Sequence, residues 1–263
     1  MSKKMLIKTL VGLAMVAVVV PIFWFGGIPM HILLNGMAAV GCWEAVSLNR
    51  SENNWFLAAI AYAVTAVMIY TPMNWLPAVM MLWLTLLFFI ELVDGKINSD
   101  FVVYTYAITV LIMAAIRCVF HLYTFEGIRC IWYIFYIGLT AFGCDTAAYF
   151  VGSFMGKHKM IPHVSPNKTW EGAIGGYLIA AAISLVFGLK VLTTLPSSLV
   201  ITASLILPFV AQVGDLSFSS IKRHFEIKDF GNLFPGHGGV LDRVDSIIFC
   251  LVVFNGLMIL WGI

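Results

Sequence analysis

Nine apolar runs follow one another along this chain, most of them as long as a helix needs to be to cross a bilayer. They lie at about 7–25, 29–48, 55–71, 75–93, 101–121, 129–152, 172–192, 196–221 and 244–262. Hydrocarbon roughly 30 Å thick offers no water to backbone N–H and C=O groups, so each must be satisfied within a helix or a closed barrel. The runs are continuous rather than alternating, which excludes barrel strands and leaves helices. The expectation is an all-α, polytopic integral membrane protein with about nine transmembrane helices. A mean hydropathy of +0.97 with 11% charged residues agrees, since a soluble domain of this length needs far more polar surface.

Lys3, Lys4 and Lys8 precede the first run, as basic residues precede the apolar core of a signal peptide. The run continues through VGLAMVAVVVPIFWF into Gly26 and Gly27 without a small-residue cleavage site, so it reads as a retained span. With the amino terminus inside, nine spans put twelve basic residues on the inner side, including Arg50, Lys96, Lys157, Lys159 and Lys168. Arg117, Arg129 and Lys190 fall on or near the other side, and a bias of 12 to 3 follows the positive-inside rule. Loops 153–171 and 222–243 then share the cytoplasmic face. Cys42, Cys118, Cys130, Cys144 and Cys250 sit in or beside apolar runs, form no metal-type pair and read as small buried hydrophobes. A net charge of +2 is too small to indicate a partner.

Charge is concentrated against this background. Eight of the 28 charged residues fall between Lys222 and Asp245, in KRHFEIKDFGNLFPGHGGVLDRVD. Asp145 and Asp215 lie inside apolar runs, where an unpaired carboxylate costs about 2.5–3.5 kcal/mol or more. A helix continued through 221 puts Asp215, Ser219 and Lys222 at i, i+4 and i+7, on one face. Asp242 and Asp245, three apart, share a face at the start of the last helix. Gly231, Gly236, Gly238 and Gly239 precede them, and the Gly238–Gly239 pair lets backbone N–H groups approach phosphate oxygens closely. Carboxylates converging with basic residues and glycines suit Mg2+, which takes one or two carboxylates and completes its shell with substrate phosphates. An ordinary basic anchor accounts for Lys222, Arg223 and Lys228 alone, but not for the acids within the spans.

The stretch SPNKTWEG (165–172) offers a second anion site. Ser165 reads as an N-cap and Pro166 as the first helical residue, with Lys168 beside the helix terminus. Glu44, inside the second run, reads equally as a buried structural acid and as a neighbour of the site. His237 sits inside the glycine loop, whereas His121, His158, His163 and His224 read as interfacial residues.

The pattern from Ser219 to Asp245, S-x-x-K-R-x4-K-D-x-G-x2-F-P-G-H-G-G-x2-D-R-x-D, resembles the signature of the phosphatidate cytidylyltransferases, also called CDP-diacylglycerol synthases. GDLSFS, SPNKTWEG and DTAAYFVG extend the resemblance upstream, over roughly 140–246, and WEAVSL (43–48) is a weaker echo. The rest of the first 125 residues is similar only in being hydrophobic and multi-span. Asn167 departs from the pattern, standing where a second lysine is common. The resemblance implies that CTP and phosphatidate give CDP-diacylglycerol and pyrophosphate, in phospholipid biosynthesis, with Mg2+ required and room for a K+ ion beside it. It assigns Asp215, Ser219, Lys222, Arg223, Asp242 and Asp245 to catalysis, with metal held by Asp215, Asp242 and Asp245. Asp145, Ser165, Lys168, Lys228, His237, Gly238, Gly239 and Arg243 are expected to bind substrate.

The expected organisation is an amino-terminal transmembrane segment, 1–125, and a catalytic transmembrane region, 126–263, that carries the motifs. The expected partners are CTP, phosphatidate and membrane lipid, without nucleic acid and with a homodimer as a compatible assembly. The expected location is a bacterial plasma membrane, with the site facing the cytoplasm. Alternative readings are a CTP-dependent lipid kinase, a cytidylyltransferase for another lipid phosphate, and an ion-coupled transporter. A transporter should spread its polar residues around the midplane in two halves. Here they crowd one face and the carboxy-terminal half.

Overall fold

The computed structural model describes residues 12, 14, 17–48, 54–95, 97–234 and 238–263. Lys3, Lys4, Lys8, Arg50, Lys96 and His237, with most of the stretch before 17, lie outside the described residues. The elements are α1 (17–25), α2 (Gly27–Val46), α3 (Asn54–Tyr70), α4 (Leu76–Asp94), α5 (Ser99–Glu126), α6 (Cys130–Met155), β1 (Lys159–Ile161), β2 (Ser165–Thr169), α7 (Trp170–Val191), α8 (Ser197–His224) and α9 (Leu241–Leu260). A short 3-10 turn, Gly127–Arg129, joins α5 to α6.

The architecture is that of an all-helical membrane protein. Five stretches among the described residues are long and apolar enough to cross a bilayer: α4, the helical run Ser99–Met155, α7, α8 and α9. Trp55–Tyr70 is apolar but shorter. The hairpin of β1 and β2, antiparallel with Lys159 opposite Thr169 and Ile161 opposite Ser165, departs from the purely helical expectation. It also corrects the expected helix start at Ser165. Pro166 disfavours the helical region at the residue before it, so the segment extends and pairs with β1. α7 instead begins at Trp170, capped by Thr169, whose Oγ1 accepts the Gly172 N–H at 3.2 Å.

The chain forms two compact units, Met1–Arg117 with Ile227–Arg243, and Cys118–Glu226 with Val244–Ile263. In the first, α2 packs on α3, and the buried core includes Met30, Leu34, Ala38, Met68, Trp83 and Ile108. Trp83 Nε1 donates to Thr109 Oγ1 at 2.9 Å, so the indole N–H that α4 buries is satisfied by α5. Helix α3 ends with carbonyls that have no intrahelical partner, and Arg117 Nη1 donates to three of them or their neighbours, Met68, Ile69 and Thr71. In the second unit, α6 and α7 approach along small residues. A Cβ on Gly172 would stand 2.7 Å from the Ala148 carbonyl oxygen, and one on Gly176 would stand 2.7 Å from both the Cys144 oxygen and the Ala148 Cβ. Small residues at such seams let transmembrane backbones come together, since lipid supplies no hydrophobic drive between helices. Gln212 of α8 closes the layer by donating to the Ala173 carbonyl at 2.8 Å.

Candidate active site

The second unit gathers three acids from three helices: Asp145 of α6, Asp215 of α8 and Asp245 of α9. The Asp145 carboxylate feels the negative charge of both others and the positive charge of Lys168. Asp245 likewise feels Asp215 and the Lys222 ammonium. Lys168, on β2, forms an ion pair with Asp215, which is how the hairpin joins the constellation. The side chains of Lys168 and Asp215 keep 31% and 22% of their exposure, so solvent and solutes reach this pair. Asp245 and Lys222 are buried, and Asp245 Oδ1 accepts from the Ser246 N–H at 2.8 Å and the Ser246 hydroxyl at 3.3 Å. A Cβ on Gly214 would lie 3.1 Å from the Asp245 carbonyl oxygen, so glycine one residue before Asp215 keeps α8 and α9 in close approach. Arg223 Nε donates to the Val164 carbonyl at 3.3 Å, tying the end of α8 to the hairpin that also holds Ser165. Ser219 is half-buried, five residues before the end of α8.

Among the described residues, no three His, Cys, Asp or Glu side chains converge closely enough to form a metal cage by themselves. Mg2+ does not require one, because it is commonly held by one or two carboxylates, with substrate phosphates and water filling the shell. The donor set fits that ion: hard carboxylate oxygens, mutually repelling and only in part neutralised by lysine.

The first unit holds the glycine segment and Asp242. Asp242 is buried, and its Oδ2 accepts the Phe230 N–H at 2.8 Å and the Gly239 N–H at 3.0 Å. A Cβ on Gly238, whose φ is +84°, would meet that same oxygen at 2.7 Å, so both conformation and space demand glycine there. Lys228 is exposed. Arg243 is half-buried, and its Nε is buried without a hydrogen-bond partner among the described residues. The structure therefore brings Asp145, Lys168, Asp215, Lys222 and Asp245 together in one unit, and sets Asp242 with Gly238 and Gly239 in the other. Two features escaped the sequence. The Lys168–Asp215 pairing spans 47 residues and leaves no periodic trace. Glu44 left a signal, an acid inside an apolar run, but not its partners: the N–H groups of Val240 and Leu241.

Comparison with known proteins agrees with the resemblance. The profile of the cytidylyltransferase family matches residues 6–261. A phosphatidate cytidylyltransferase of Staphylococcus aureus is 33% identical over 264 aligned residues, covering 97% of this chain and 99% of the relative. The phosphatidate cytidylyltransferase of Staphylococcus epidermidis is 31% identical over the same shares. That of Bacillus subtilis is 42% identical over 130 residues, 49% of this chain and 48% of its own.

Proposed function

Because the chain belongs to the cytidylyltransferase family, we propose that it transfers the cytidylyl group of CTP to phosphatidate, giving CDP-diacylglycerol and pyrophosphate. The observation that carries this is similarity from end to end to proteins of that name. A phosphatidate phosphate oxygen forms the new bond to the α-phosphorus of CTP, and the α–β bridging bond breaks, its electron pair leaving with pyrophosphate. Phosphatidate is already ionised near neutral pH, so no dedicated base is demanded. Positioning and charge neutralisation carry such transfers.

Asp215 and Asp245 are the Mg2+ ligands in this reading, with Asp242 one helical turn before Asp245 on α9. An Mg2+ ion held by these carboxylates would supply neutralisation of nucleotide phosphate charge. The same hard oxygens would serve a K+ ion. Lys168, Lys222 and Arg223 offset the remaining negative charge. The unpartnered Nε of Arg243 is a donor suited to a phosphate oxygen, and Lys228 adds positive charge nearby in sequence. Gly238 and Gly239, whose N–H groups go to the Phe234 carbonyl and to Asp242 Oδ2, let the chain pass close to a phosphate, with His237 in the same segment, while Asp145, Ser165 and Ser219 supply polar contacts. In this reading 126–263 carries the groups that meet the substrates, and 1–125 supports them.

The test follows the label. CTP carrying radiolabel at its α-phosphate, incubated with the purified protein and phosphatidate in mixed micelles, is expected to label the lipid. CTP labelled at its γ-phosphate is expected to yield only labelled pyrophosphate. Label from the γ-phosphate in lipid would make the protein a kinase instead.

The proposal extends to topology. Ser99–Met155, 57 residues, would be about 85 Å long as one straight helix, nearly three hydrocarbon thicknesses. It therefore counts as two crossings meeting at the turn where Gly127 has φ +59°. With α1, α2 and α3 included, the chain crosses nine times in a bacterial plasma membrane, with the site in the cytoplasm, where CTP is available. Lys159 and Glu226 are exposed, and cysteines placed there are expected to react with an impermeant maleimide only after the membrane is opened. Labelling in intact cells would reverse the topology.

A further inference from the structure

We propose that Glu44 is a positioning residue for the nucleotide, holding the backbone of Gly239, Val240 and Leu241 in the shape that receives phosphate. The inference rests on the function proposed above. Glu44 lies on α2 and is 2% exposed. Its Oε1 accepts the Val240 N–H and its Oε2 the Leu241 N–H, both at 2.8 Å. These amides open α9, where the first N–H groups have no intrahelical acceptor and a negative charge is favoured. Such ends are ordinarily capped by a local Ser, Thr, Asp or Asn. The residue before α9 is Val240, whose side chain has no acceptor, so the cap comes from 196 residues away.

Space gives a second, independent reason. A Cβ on Gly239 would stand 2.2 Å from Glu44 Oε1, and one on Gly231 would stand 2.6 Å from the same oxygen. Two signature glycines are therefore glycines because the Glu44 carboxylate sits between them. Asp242 Oδ2 takes the Gly239 N–H, so two buried carboxylates fix three consecutive amides. An acid buried only for stability could take any donors; this one takes the backbone of the segment proposed to meet CTP.

Glu44→Gln keeps the volume but replaces one acceptor by a donor, so it cannot accept from both amides. Losing one charge-assisted bond is expected to raise the KM for CTP at least about tenfold and leave the KM for phosphatidate within about a factor of two. Hydrogen exchange of the amides at 239–241, followed by mass spectrometry, is expected to accelerate. A loss of folded protein would lower kcat alone and move neither KM. Gly239→Ala is expected to raise the same KM, and Glu44→Asp, which withdraws the carboxylate, to recover part of that loss when combined with it. An unchanged KM for CTP in Glu44→Gln and Gly239→Ala, or unchanged exchange in Glu44→Gln, would overturn the proposal. Should the wild type itself fail to label lipid, the functional reading falls, and the exchange rates alone decide whether Glu44 holds these amides.

Discussion

Asp215→Asn is expected to lower turnover at least about a hundredfold at saturating Mg2+, while the protein stays folded in the membrane. The substitution keeps shape and removes charge. In the structure that charge has two relations, an ion pair with Lys168 and repulsion with Asp145 and Asp245. Removing it costs the pair but relieves the repulsion, so the two changes in stability oppose each other. No such compensation exists for catalysis, where a neutral amide is a poor substitute for a hard anionic metal ligand. Initial rates in mixed micelles, beside a thermal unfolding curve of the same preparation, check both halves. Residual activity above about a tenth of wild type would sink the assignment of Asp215 to the metal.

Gly176→Leu is expected to do the opposite, removing folded protein rather than chemistry. Its Cβ alone would lie 2.7 Å from the Cys144 carbonyl oxygen and 2.7 Å from the Ala148 Cβ, and neither is the movable end of a long side chain. The two helices must part, and overpacking of this kind costs about 1–3 kcal/mol or more. Asp145 follows Cys144 on α6, so any parting also displaces an acid of the candidate site. The yield of monodisperse, detergent-solubilised protein and its unfolding midpoint should both fall. Gly143→Ala is the control, since a Cβ there meets nothing within 4 Å. It should stay within about 0.5 kcal/mol of wild type. A well-behaved Gly176→Leu protein with an unchanged midpoint would show that α6 and α7 do not depend on this seam.

The helical character of the chain was legible because hydrocarbon enforces it: runs such as 75–93 and 172–192 can satisfy their backbone in no other simple way. The identity of the polar cluster was legible for the same reason, as Asp145 and Asp215 stand out where charge is costly. What the sequence hid was pairing. Lys168 looked like an attachment to a helix terminus, but Pro166 turned its segment into a strand and sent its ammonium to Asp215. Glu44 stood out equally well, yet its partners are backbone amides, which have no letter in a sequence. The seam glycines looked like generic membrane composition; only coordinates show that Gly172 and Gly176 face the carbonyls of α6.

The reach of Glu44 has a consequence for how the protein is made. The carboxylate enters the membrane with the second helix, whereas the amides that satisfy it, those of Val240 and Leu241, leave the ribosome nearly two hundred residues later. During the synthesis of α3 through α8 this acid has neither its final partners nor the neighbouring glycines Gly231 and Gly239 around it. The amino-terminal unit is therefore completed late, although most of it is synthesised first. Its early helices must wait in the bilayer, or at its surface, with one polar group exposed. A chain cut short before Gly239 never gains the two amides that satisfy this carboxylate.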